Sequence, residues 1–334
     1  MAESMKIEDE VWGLIEAKFD MKGERRRLSR DQSGDFLSTR ISVTNDGKRV
    51  QIDNDYKIRT ILEKWGATEF KPKKVPYTRH HLSQMMKDNE EGKWLDAQGT
   101  EQHRAFVGDV NWIAQTTDPM LATYVSIIGK YNKQPVEGCI AAREHMLGYL
   151  KGQIGMCLVA EAGNTEGIRY TSDSDWAGLF NIDGDCRSRY GVMVLYNGMP
   201  VAWRSGWLKP GDKGDTAIKL SSGEAEASAA AEGLKLCRHI KFIADEMLLD
   251  VPDRIHMEVD ATVAVAFANN TQVRSKMKHI NLKWSWVLEL RDQNIVKLIN
   301  IDGTKNPADV MTKVLNQPEF VKKQKSIKQM RDTS

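Results

Sequence analysis

Asp173 and Asp175 stand two apart in GIRYTSDSDWAG, where an alternating stretch gives way to a turn. Further along, Glu224 lies in SSGEAEA, Asp260 closes RIHMEVDA and Asp309 sits in NPADV. Carboxylates are hard oxygen donors. When several crowd together they raise one another's pKa values and need compensating charge. Mg²⁺ supplies it: the ion prefers oxygen ligands, keeps several waters and completes its shell with phosphate oxygens. Two such ions about 4 Å apart activate a water and stabilise the departing oxygen when a phosphodiester is cut. Metal-dependent phosphodiester hydrolysis is therefore the chemistry open to Asp173, Glu224, Asp260 and Asp309.

Each acid also has an ordinary local role. Asp173 suits a turn. Glu224 follows Ser221 by three, the spacing of a capping box. Asp260 could cap the helix after it. In NPADV, Asn306 reads as the N-cap, Pro307 as the first helical residue and Asp309 as a first-turn acid favoured by the helix dipole. The functional reading needs all four to meet.

The elements that must bring them together are legible in outline. FLSTRISVT and KRVQI alternate around Asn45-Asp46-Gly47, a hairpin signal, and YKIRTILEKWG is amphipathic. Residues 69–100 are polar and proline-punctuated. Residues 103–152 read as three helices, with Pro119 near the start of the second. Their apolar stripes, including Val107, Trp112, Ile113, Val125 and Ile128, are expected in a core. Beyond residue 155 the pattern changes. IGMCLVAE and GIRYTSD read as strands, and YGVMVLYN and MPVAWRSGW as a hairpin about Asn197-Gly198. A long alanine- and leucine-rich helix follows. Then come the strand RIHMEVDA, a helical stretch through Asn269, the helix HINLKWSWVLELRDQN, the strand IVKLINID and a helix opening at NPADVMTKVL. This order implies a mixed sheet with helices against it. If the strands ending at Asp173 and Asp260 are parallel neighbours, their acids emerge at one sheet edge.

The chain has 334 residues, enough for about two domains. Its 41% hydrophobic and 28% charged residues are those of a soluble globular protein. No apolar run approaches the roughly 18 residues of a membrane span, so no membrane partner is expected. MAESMKIEDE is acidic and lacks the features of a secretory signal. Cys139, Cys157, Cys186 and Cys237 have no metal-type spacing, which favours a reducing, intracellular compartment. The net charge of +2 says little about nucleic acid, although Arg25-Arg26-Arg27, Lys71/Lys73/Lys74 and the tail VKKQKSIKQMR are local basic clusters.

GIRYTSDSDWAG, DCRSRYGV, PVAWRS, KLSSGEAEA, EVDATVAVA, MKHINLKWSWVLEL and NPADVMTKVL occur in this order over about residues 155–318. Together they resemble the successive blocks of the ribonuclease H domain of Ty1/copia-type retrotransposon Pol polyproteins. Upstream, HRAFVGDVNWIAQTTDPMLATYVSIIGKYNKQPVEG and HMLGYLKG resemble the end of the reverse transcriptase region of the same elements. The resemblance implies an α/β fold: a ribonuclease H-like mixed five-stranded sheet flanked by helices, preceded by a mostly helical region like a reverse transcriptase thumb or connection. It implies units at 1–154 and 155–320 and a basic tail at 321–334. No YVDD-like polymerase motif is present, so polymerase activity is not expected.

By position in the matching blocks, the resemblance makes Asp173, Glu224, Asp260 and Asp309 both catalytic residues and metal ligands, for two Mg²⁺ ions that Mn²⁺ could replace. Asp175 and Glu226 read as supporting residues, with either member of each pair able to face the metals. The implied partner is an RNA–DNA hybrid, whose RNA strand would be cut; the upstream polymerase portion of the same polyprotein is a second. Arg187, Arg204, Lys278 and His279 are the candidate nucleic-acid contacts. The implied location is cytoplasm or nucleus, within a retrotransposon particle where one forms. Gly223 replaces a usual threonine, Ala261-Thr262 replaces Asn-Gln, and no histidine lies between Ile299 and Asp309, leaving water or Lys305 for proton transfer. The competing readings are a hybrid-binding fragment that cuts nothing and a transposase- or resolvase-like nuclease. The filled acid positions speak against the first, the KHI and ADxxTK blocks against the second.

Overall fold

A computed structural model describes residues 9–10, 12–14, 16–18, 32–44, 47–176, 187–208, 222–249, 251–259 and 278–331, with backbone alone for 278–284 and 304. Strands β1 (Ser33–Phe36), β2 (Thr39–Thr44) and β3 (Arg49–Asp53) form an antiparallel meander. Thr44 faces Arg49 across the expected hairpin. Helix α1 (Asp55–Lys64) follows, then α2 (Arg79–Glu90) and α3 (Ala97–Thr116). Asp96 caps α3, its carboxylate accepting from the Gly99 amide. Asp118 likewise accepts from Met120 N, with Pro119 in a first turn where its missing N–H costs nothing. That 3₁₀ turn leads into α4 (Ala122–Ile128), and α5 (Gly138–Gly152) closes this helical layer. Val107, Ile113, Val125 and Ile128 are buried as the apolar stripes require, whereas Trp112 is exposed.

Strand β4 (Met156–Glu161) is IGMCLVAE, just beyond the expected unit boundary at 154. It pairs with β3, in the first sheet. The expected basic tail also departs from the sequence reading. Residues Gln317–Ile327 form a helix, and the following Gln329–Met330 pair with β4. The first sheet thus has the order β1-β2-β3-β4 and then the late strand. A buried ion pair between Lys328 and Asp118, 3.2 Å apart, fixes this segment to the helical layer. Arg331 reaches Asp53 and Asp55 at 3.3 and 2.8 Å.

The second sheet has the strands β5 (Ile168–Asp175), β6 (Arg189–Tyr196), β7 (Met199–Trp207), β8 (Ile255–Val259) and β9 (Val296–Asn300), in the order β7-β6-β5-β8-β9. β7, β6 and β5 run antiparallel; β8 and β9 are parallel to β5. The chain is therefore α/β, with the expected five-stranded mixed sheet packed against helices. The β6–β7 turn has positive φ at Asn197 and Gly198, the requirement of a type I′ turn. Long helix α6 (Ser222–Glu246) and α7 (Lys278–Asp292) pack on one face, in a core with Tyr170, Val192 and Val194. Met193, Leu195 and Trp203 point the other way, into the core of the helical layer. This alternation is the period of two expected of a sheet buried on both faces. The last strand, Gln329–Met330, is β10, and the helix before it, Gln317–Ile327, is α8. Ser221, Cys186 and the stretch through Asn269 lie outside the described residues. Among the described residues, no helix is long and apolar enough to cross a membrane. Cys139, Cys157 and Cys237 are buried free thiols.

Candidate active site

Tyr170 donates from its hydroxyl to the Ala230 carbonyl of α6 at 3.2 Å, which fixes one face of β5 toward that helix. The alternate positions Asp173 and Asp175 therefore share the opposite face. Against that face lies a 3₁₀ turn, Pro307–Met311, which carries Asp309. Its entry follows the sequence reading: Asn306 is the N-cap, accepting from Ala308 N, and Pro307 comes next. It is a single short turn, however, and the chain becomes helical again only at Gln317. Asn306 also donates through Nδ2 to the Ser172 carbonyl at 3.0 Å, tying the turn to β5 beside Asp173.

Gly191 sits opposite Asp173 in the β5–β6 register. A Cβ there would lie 2.3 Å from Met311 Cβ and 2.8 Å from the Ala308 carbonyl, so only glycine lets the turn rest on the sheet. Two further donors hold it. Thr123 of α4 donates to the Val310 carbonyl at 2.7 Å, and Ser205 of β7 to the Met311 carbonyl at 2.5 Å. The helical layer thus grips the backbone that presents Asp309.

Asp173 and Asp309 meet around one ammonium. Lys313 Nζ is 3.3 Å from Asp173 Oδ2 and 2.8 Å from Asp309 Oδ1. Lys323 Nζ lies 2.8 Å from Asp309 Oδ2, and Thr312 donates its hydroxyl to Asp173. Burial pushes the Asp173 carboxyl up to about 6; Lys313 opposes the rise and the charge of Asp309 adds to it. Burial also acts to raise Asp309, but its bonds to Lys313 and Lys323 outweigh this and hold it below the usual carboxylate range. Asp175 is half-buried and raised by burial, against the charges of Lys313, Arg189 and Arg79. Of the Asp173/Asp175 pair, Asp173 makes the bonds to Lys313 and Thr312.

Glu224 approaches from the other layer. β7 ends beside Arg189, which pairs with Asp175, and Pro252, just after α6, packs on Gly167 at the far end of β5. Helix α6 packs on β5 and β6 and carries Glu224 in its first turn; among the described residues, Glu224 is not grouped with Asp173 and Asp309 in a three-acid cluster. Glu224 lies six residues, about 9 Å along the axis, before Ala230. Glu224 and Glu226 are both half-buried. β8 is the parallel neighbour of β5, as the argument for Asp260 requires, while residue 260 lies outside the described residues.

Two of the four candidate nucleic-acid contacts, Arg187 and Arg204, have described side chains. The Arg187 guanidinium stacks on Trp207, 4.8 Å from the ring centre, near the Asp175 edge. Arg204 is exposed on β7 opposite Val192. Lys278 and His279 begin α7, and their side chains lie outside the described residues. Lys305 is exposed before the Asp309 turn.

The donor set suits a hard cation, since carboxylates from two elements converge on one positive charge, that of Lys313. Among the described residues, no group of three or more His, Cys, Asp or Glu is placed to hold a metal. Lys313 and Lys323 are the residues that sequence reasoning missed. Lys313 was visible in NPADVMTKVL, four after Asp309, but the compensating charge was sought in metal ions.

No protein-family profile matches the chain. It is 25% identical over 314 residues to the retrovirus-related Pol polyprotein from transposon TNT 1-94 of Nicotiana tabacum, covering 92% of this chain and 22% of that protein. It is 25% identical over 219 residues to the corresponding polyprotein from transposon RE2 of Arabidopsis thaliana, covering 66% and 14%. The chain is similar in sequence to these transposon Pol polyproteins. It spans about a fifth or less of the length of these Pol relatives. Among solved structures, LC11-RNase H1 in complex with RNA/DNA hybrid is 14% identical, covering 43% of this chain and 93% of that one, with a TM-score of 0.31. The foamy viral protease-reverse transcriptase in complex with RNA/DNA hybrid is 10% identical, covering 81% and 29%, with a TM-score of 0.40.

Proposed function

We propose that this chain is the C-terminal portion of a copia-type Pol polyprotein and hydrolyses the RNA strand of RNA–DNA hybrids. The observation that carries the proposal is the convergence of Asp173 and Asp309, from separate elements, on the Lys313 ammonium at the C-terminal end of the sheet's central strand. Asp173, Glu224, Asp260 and Asp309 are the proposed metal ligands and catalytic residues. Two Mg²⁺ ions, or Mn²⁺ in their place, would supply an activated water and stabilisation of the departing 3′ oxygen. The chain's own part is to hold the acids. Asn306, Thr123 and Ser205 fix the Asp309 turn, and Thr312 orients Asp173.

Arg187, Arg204, Lys278 and His279 are proposed to contact the nucleic-acid backbone, with hybrid preference set by 2′-OH groups in the minor groove. Such binding is salt-sensitive and largely independent of sequence. Residues 1–154 are proposed as part of a reverse transcriptase region, working with the polymerase portion of the same polyprotein in an intracellular setting. A second reading, a hybrid-binding fragment that cuts weakly or not at all, is favoured by one observation: Lys313 and Lys323 already neutralise Asp173 and Asp309.

The test is a cleavage panel of labelled RNA–DNA hybrid, double-stranded RNA and duplex DNA, with Mg²⁺ and with EDTA. The proposal expects cutting of the hybrid alone, lost in EDTA and in Asp173→Asn. Tight binding without cutting supports the second reading.

A further inference from the structure

We propose that Lys313 is a displaceable internal counter-ion that occupies the metal seat and sets how tightly the site takes a divalent cation. This rests on the metal-dependent reading above and concerns the regulation of that same site.

Two lysines serve Asp309, and their settings differ. Lys323 holds Asp309 Oδ2 at 2.8 Å and also donates to the Asn306 carbonyl at 2.8 Å; its side chain is 12% exposed. It is anchored to the backbone of the turn and bonds Asp309 alone of the two acids. Lys313 lies between the two acids and bonds one oxygen of each. Its side chain is 37% exposed, so water adjoins it and gives it somewhere to go. Asp173 and Asp309 are the acids that would hold a divalent cation, and Lys313 takes one oxygen of each. Ammonium and metal cannot share them, since both are positive and both need carboxylate lone pairs. Binding a divalent ion is then an exchange: the ion enters and the Lys313 ammonium leaves to solvent, while Lys323 stays. In the absence of metal the lysine keeps the acids from repelling each other and preserves their spacing. At low metal concentration the seat is closed.

Two readouts test this without relying on catalysis. The first is Mn²⁺ affinity, by calorimetry or electron paramagnetic resonance, of the full chain, Lys313→Met, Lys313→Arg and Asp173→Asn. Removal of the competitor is expected to tighten Mn²⁺ binding in Lys313→Met by roughly tenfold or more, as expected for deleting a like charge at contact distance. Lys313→Arg keeps a competing cation and should bind no tighter than the parent. Asp173→Asn should lose most of the binding. The second readout is made on the unaltered chain, so it does not depend on a variant folding. Amine-reactive labelling is quantified by mass spectrometry at Lys313 and Lys323 with and without Mn²⁺. Labelling of Lys313 is expected to rise severalfold with Mn²⁺, and that of Lys323 to stay constant. Equal or weaker Mn²⁺ affinity in folded Lys313→Met, or unchanged Lys313 labelling while Mn²⁺ binds through Asp173, overturns the counter-ion role and leaves the metal reading standing. A chain that takes up no Mn²⁺ in any form overturns both.

Discussion

Replacing Asp173 by asparagine should stabilise the metal-free protein at neutral pH while abolishing the proposed cleavage of hybrid RNA. The fold buries this carboxyl and places the charge of Asp309 near it, lifting it from an ordinary 3.8 to about 6 despite Lys313 and Thr312. A carboxyl raised on folding is one whose neutral form the fold prefers. Its contribution to stability is therefore complete below about pH 4 and is lost as pH rises through about 6. At about 1.4 kcal/mol for each tenfold change in the proton equilibrium, the difference between 3.8 and about 6 corresponds to roughly 3 kcal/mol at pH 7. Asparagine mimics the neutral form in shape and does not titrate. Urea denaturation of both proteins from pH 3.5 to 8, without divalent ions, reads the effect. The variant should match the parent near pH 4 and exceed it by about 2–3 kcal/mol at pH 7, with the gap opening between pH 4 and 6. A gap that is absent, reversed or independent of pH would refute the assignment of Asp173 to a buried, charge-crowded seat.

Asp309→Asn should act with the opposite sign. The folded carboxylate is held below its ordinary value by two lysines, so the variant loses stability at pH 7, and the loss shrinks as pH falls below about 4, seen in the same denaturation series. Gly191→Ala would drive its methyl into Met311 and the Ala308 carbonyl; a cost of about 1–3 kcal/mol and weaker Mn²⁺ binding are expected from denaturation and calorimetry. Lys328→Met leaves buried Asp118 without its cation and should cost about 3–5 kcal/mol, with hydrogen-exchange protection lost across residues 317–331.

Signals carried by neighbouring residues were legible in the sequence. Asn306-Pro307 announced a capped turn and Asn197-Gly198 a tight hairpin, because each depends on the conformational preferences of the residues themselves. The alternation in IRYTSDSD likewise put Asp173 on a definite face. What was not legible depends on partners far away. Strand β4 reads the same whichever sheet it joins, and it pairs with β3, across more than a hundred residues. The tail reads in the sequence only as a basic cluster, yet Lys328 and Arg331 are ion-paired to Asp118, Asp53 and Asp55. Lys313 was a cation in a helix-like block until Asp173 was known to face it. Of the candidate acids, Asp173 and Asp309 are brought together by the fold, and the cations paired with them were not legible.

The central claim is tested most directly by incubating the protein with an RNA–DNA hybrid and Mg²⁺ and reading the ends of any RNA fragments by mass spectrometry. The account predicts internal cuts that leave 3′-hydroxyl and 5′-phosphate ends, with none formed by Asp173→Asn or Asp309→Asn. Intact RNA, or cleavage that survives both substitutions, would contradict it.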